Sequence, residues 1–201
     1  MAMKSIDTNK GRLRSTYIAI MIPLGVAINY IGGQLATSLG LPIYMDSIGT
    51  AIVAAIMGPW IGATSGVLFN IISSLISGNI MASLFGICNI GTGLIVGYMA
   101  RYGRYKKLIP DIAVASILVA VWNAATGAPI AMAVYGGIDG NAGTNVMIAA
   151  FQNMGKDLFS SAFIARIPTN LLDKGIACLV AWLIIMKLPE NMQKLNGTKA
   201  K

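Results

Sequence analysis

Four polar side chains interrupt an apolar run near the C-terminal end: Arg166, Asn170, Asp173 and Lys174. Spaced i, i+4, i+7 and i+8, they fall on one face of a helix. Such a face can do two things. It can close a structural ion pair, with Arg166 or Lys174 facing Asp173. It can also receive an anionic or strongly polar ligand at Arg166 or Lys174. A third reading lets the cations snorkel toward lipid headgroups. Ionisable groups inside a membrane-length apolar run are costly and turn to the bundle interior, so each is a candidate site.

Covalent and acid–base chemistry find little to work with. Histidine is absent, which removes the commonest general base and metal ligand and, with them, any HExxH motif or Ser/His or Cys/His pair. No Walker-type loop and no GxSxG motif occur; Gly155-Lys156 lacks the upstream glycine. Neither a metal site, a cofactor nor an enzymatic activity is therefore expected. Cys88 and Cys178 lie in apolar runs and read as small core residues.

Further polar residues sit inside other apolar runs: Asn29, Tyr44, Asp46, Asn70, Asn89, Trp122 and Asn123. Asn89 and Asn123 suit either a ligand or interhelical hydrogen bonds, the latter about 0.6–2 kcal/mol each in a membrane. Trp122 is a stacking platform or a packing residue. Tyr44 belongs to the site or to an interfacial aromatic belt. Asp46 faces the ligand or caps the helix it precedes.

These groups need a scaffold, and composition says where it resides. Of 201 residues, 56% are hydrophobic and 11% charged, and the mean hydropathy is +0.71. A soluble domain carries about 25% charged residues. The chain is thus expected to be an all-α integral membrane protein. Its apolar runs place six spans, at residues 15–31, 42–57, 59–77, 80–100, 108–134 and 158–188. Residues 1–14 and 189–201 read as cytoplasmic tails around a single membrane domain at 15–188. Residues 32–41 read as a mobile outer connection, and Gly127 and Pro129 are expected to break the fifth span. Gly58, Gly62 and Gly66 recur every fourth residue, a ridge that lets helix backbones approach in lipid. On the first span Ser15, Ala19, Pro23 and Ala27 form a flat stripe of the same spacing.

The net charge of +8 does not imply nucleic acid. The basic residues gather in the two tails and in RYGRYKK at 101–107, and no basic face is interleaved with stacking aromatics. Six spans put all three basic segments on the cytoplasmic side. With that orientation the polar residues crowd into the outer half of the bundle and the inner halves stay dry. The pattern implies a pocket open to the outside above a closed floor. A stand-alone solute facilitator and a membrane sensor or scaffold subunit remain as alternatives.

The stretch LPIYMDSIGTAIVAAIMGPWIGATSGVLFNIISSLI, residues 41–76, resembles the second and third helices of the S components of energy-coupling-factor (ECF) vitamin transporters. That resemblance implies a substrate-capture subunit whose partners are a membrane coupling subunit (the T component) and two cytoplasmic ATPases in a bacterial cell membrane. It implies that the Ser15, Ala19, Pro23 and Ala27 stripe docks on the coupling subunit, with Pro23 standing where the family has a second alanine. It implies a body that topples to deliver its cargo, with residues 32–41 as the gate. The vitamin suggested first is pantothenate, followed by hydroxymethylpyrimidine or pyridoxine and then a cobalamin-type ligand.

Overall fold

The computed structural model describes residues 2–102, 108–138 and 141–189, and within them every regular element is helical. In chain order these are α1 (Ala2–Ser38), α2 (Ile48–Met57), α3 (Pro59–Ser77), a 3-10 segment (Ile80–Phe85), α4 (Gly86–Arg101), α5 (Leu108–Tyr135), α6 (Ala142–Asn153) and α7 (Leu158–Lys187). Most of the 101–107 basic cluster and of the 189–201 tail lies outside the described residues.

Five stretches are long and apolar enough to cross a bilayer: Arg14–Ser38, Pro59–Ser77, Ile80–Arg101, Ile109–Tyr135 and Leu158–Lys187. Large apolar side chains such as Ile20, Leu75, Val121 and Leu172 stand exposed along them. That is the surface a hydrocarbon solvent stabilises and water does not. The chain is a multi-pass membrane helical bundle.

The segment at 42–57 departs from the expected span. Only its last ten residues are helical, a rod of about 15 Å against about 30 Å of hydrocarbon. Every residue of α2 is buried, and the helix packs on α1, α3, α4 and α7. An all-round apolar sequence fits a helix wrapped in protein as well as one facing lipid. What selects the buried place is close backbone approach. A Cβ added at Gly49 would strike the backbone of Gly25 on α1, and one at Gly62 on α3 would strike that of Ala54. Around α2 the dry core is completed by Val96, Val119, Ala177 and Ala181.

Two further expectations are corrected. Residues 32–38 are not a loop, because α1 stays helical to Ser38. Gly32 is buried there against the carbonyl of Met45, a place closed to any side chain. Likewise α5 is not broken, since Gly127 and Pro129 lie within one continuous helix. Neighbouring helices tolerate such residues in membrane spans. The Gly58 corner between α2 and α3 does form, with φ of 109° that favours glycine.

Candidate functional site

Late α1, late α3, early α4, late α5 and early α7 meet at one end of the bundle. They enclose a cavity of about 270 Å³, together with the irregular segment 42–47 and the 3-10 segment. The long helices α1, α3 and α5 end at this cavity and α4 and α7 begin at it, so stretches distant in sequence lie level in depth. The dry core around α2 fills the opposite end.

Of the residues singled out from sequence, Tyr44, Asp46, Asn70, Asn89, Asn123, Arg166, Asn170 and Lys174 line this cavity. Asn70, Asn123 and Asn170 each turn an amide hydrogen to the carbonyl four residues back, at Gly66, Val119 and Arg166. These bonds hold the side chains upright against their own helices. Asn123 also reaches the Thr92 hydroxyl at 3.1 Å, which ties α5 to α4.

The α7 face divides into two parts. Lys174 donates to Asp173 at 2.5 Å, to the Ser47 hydroxyl at 2.8 Å and to Asp46 at 3.2 Å. Its ion-pair partners are thus Asp173 and Asp46. Asp173 also accepts the Met45 N–H at 2.6 Å. Buried charges persist only when paired and hydrogen-bonded, and this group meets that condition. Arg166, about two helical turns away, is buried with its guanidinium 6.0 Å from the Tyr44 ring and 5.8 Å from the Phe85 ring. The Tyr44 ring lies 5.8 Å from Lys174 as well, so it stands near both cations.

Two expected site residues lie elsewhere. Asn29 is fully buried behind the cavity wall. Its Oδ1 accepts from the N–H groups of Gly49 at 2.7 Å and Thr50 at 3.2 Å, and its Nδ2 donates to the Thr50 hydroxyl at 2.8 Å. Asn29 therefore performs the capping of α2 that sequence offered to Asp46. Trp122 is half-exposed on the outside of the bundle, donating to the Ile87 carbonyl at 3.1 Å and covering Gly91. It is a clasp between α4 and α5.

The cavity also takes residues that were not singled out. Tyr135, Phe85 and Asn141 line it, and the Phe85 and Tyr135 rings stack with centroids 6.0 Å apart. Asn141 caps α6 through Thr144 and donates to the carbonyls of Leu41 and Ile43, both at 2.8 Å. Its place just before an apolar-periodic stretch, in a glycine-rich run, was the available signal for a cap. Segment 41–47 is thereby fastened from both sides, by Asn141 and by α7.

The stripe of Ser15, Ala19, Pro23 and Ala27 lies on the exposed side of α1, while Met21, Gly25, Asn29, Gly32 and Ala36 face inward. Small side chains leave that outer side flat.

No curated protein and no solved structure gives a significant match to the chain. The family model described as ECF transporter, substrate-specific component, matches residues 16–185. The match takes in α2 to α6, most of α1 and α7, and every residue that lines the cavity. The chain belongs to the substrate-specific components of ECF transporters, membrane subunits that serve transport and are not enzymes.

Proposed function

We propose that this subunit captures a small water-soluble vitamin in the cavity between α1, α3, α4, α5 and α7. Membership of the family carries a substrate and a membrane-embedded energy-coupling module. In the proposal the module is one T component with two cytoplasmic ATPases, and the setting is a bacterial cell membrane. The flat stripe on α1 is the docking face, and toppling of the bundle delivers the cargo.

The observation that carries the reading is one-sidedness. Polar groups line a cavity at one end, and a continuous apolar core closes the other. A facilitator would need polar lining through both halves, so capture is the better reading. The cavity opens outward in this proposal, with residues 1–14 and 189–201 cytoplasmic around a single domain at 15–188. Six crossings follow if α2 and the preceding segment count together.

A volume of about 270 Å³ sits near the small end of the range for ligand pockets, about 300–1,000 Å³. It supports pantothenate, pyridoxine or hydroxymethylpyrimidine over a corrinoid, whose macrocycle alone would overfill it. Pantothenate stays first because Arg166 can take a carboxylate while the amide-rich walls take hydroxyl and amide groups. The direct test is calorimetric titration of the purified chain with these vitamins. Binding tighter than micromolar by one of them supports capture. No binding by any, or solute flux through liposomes holding this chain alone, overturns it.

A further inference from the structure

We propose that the wall formed by Asp46 and Asn89 seats the hydrogen-bond-donor head of the ligand, a hydroxyl or an amine, and rejects the phosphate monoester of the same molecule. The inference rests on the capture reading above and adds the chemical polarity of the bound ligand to it.

Lys174 is one cation held by two carboxylates, Asp173 and Asp46. All three ammonium hydrogens have partners, in Asp173, Ser47 and Asp46, and Lys174 offers the cavity no further donor. Exposure decides which member of the group a ligand meets. Asp173 and Lys174 are 1% and 2% exposed, whereas Asp46 is 30% exposed. The open member of the group is a carboxylate, which only accepts hydrogen bonds.

Asn89 supplies the independent second observation. It lines the same cavity, is 2% exposed, and its Nδ2 reaches the Asp46 carbonyl at 3.5 Å. Its Oδ1 is buried and has no hydrogen-bond donor among the described residues. A buried acceptor without a donor is uncommon in a folded protein and marks a place where a partner from outside is expected. Two acceptors in the lining of one cavity, the Asp46 carboxylate and the Asn89 amide oxygen, match a hydroxyl or amine. A phosphate monoester would set a second anion against the Asp46 carboxylate, and like charges juxtaposed at a binding surface repel. Pantothenate, pyridoxine and hydroxymethylpyrimidine all present a hydroxyl that such an ester would replace.

The experiment titrates the purified chain with three matched pairs by calorimetry. The pairs are pantothenate and 4′-phosphopantothenate, pyridoxine and pyridoxine 5′-phosphate, and hydroxymethylpyrimidine and its monophosphate. The vitamin that binds should outrank its own phosphate by at least about a hundredfold. Asp46→Asn should shrink that ratio at least about tenfold. Because Asp46→Asn also loosens Lys174, a second variant leaves the ionic group whole: Asn89→Leu should weaken the vitamin about tenfold. Equal binding of vitamin and phosphate by the wild type overturns the inference while capture stands. So does a pair of variants that leave both the ratio and the affinity unchanged. If none of the three free vitamins binds the wild type, the capture reading falls and this inference falls with it.

Discussion

Asp173 accepts the backbone N–H of Met45 at 2.6 Å, joining two residues 128 positions apart. Met45 is the described non-glycine residue with a positive φ, 54°. Left-handed backbone at a methionine is held only where its surroundings fix it. Here the fixing groups are Asp173 from α7 and, through the preceding carbonyls of Leu41 and Ile43, Asn141. The irregular segment before α2 is therefore part of the cavity wall and not a hinge.

Breaking the ionic group should cost more than dissolving it. Lys174→Met leaves Asp46 and Asp173 without their cation and is expected to destabilise the protein by about 3–5 kcal/mol, since an uncompensated buried charge remains. The double variant Lys174→Met with Asp173→Asn should recover part of that loss. Thermal unfolding of the purified variants in one detergent reads both values, and equal loss in single and double variants would refute the coupling.

Asn29 should behave as a structural residue. Asn29→Ala removes the acceptor for two α2 amides, and about 2 kcal/mol of stability should go with it. Thermal unfolding measures this. Ligand affinity in the protein that remains folded should hold within about threefold, and a selective loss of affinity with unchanged stability would return Asn29 to the binding site.

Trp122 gives the complementary test. Trp122→Phe keeps the ring and removes the bond to Ile87, so affinity for the captured vitamin should change by less than about twofold. A drop beyond about tenfold would mean that the indole meets the ligand after all. Calorimetric titration decides between the two.

The α1 stripe can be separated from the cavity by function. Ala19→Leu and Ala27→Leu add bulk on the exposed side of α1, where close helix packing depends on small residues. Vitamin binding by the purified subunit should be unchanged, while uptake by cells expressing the full transporter should fall at least about tenfold. Normal uptake would remove the stripe from the docking argument.

The long helices were legible because their ends are punctuated. Gly58-Pro59 opens α3 and Gly78 closes it, so its bounds Pro59–Ser77 follow from sequence. Pro189 lies just past the end of α7, which stops at Lys187. What composition cannot supply is the identity of the solvent on each face. An apolar helix in lipid and one in protein carry the same residue types, and α2 is buried in protein although its composition suits either. Glycine has the same ambiguity: Gly32 reads as a loop residue, yet it is a contact point for the Met45 carbonyl. Polar side chains were easier to notice than to assign. Asn29 and Asn89 look alike in sequence, and only the partner each one meets separates a helix cap from a cavity wall.

Since α2 is sheathed in protein along its whole length, bilayer thickness and lipid type act on it only through the helices packed around it. Those helices can tilt to match a thinner or thicker membrane while the central rod keeps its seat on Gly25 and Gly62. Cells that remodel their lipids with temperature would therefore shift the attitude of this subunit more readily than the shape of its binding chamber.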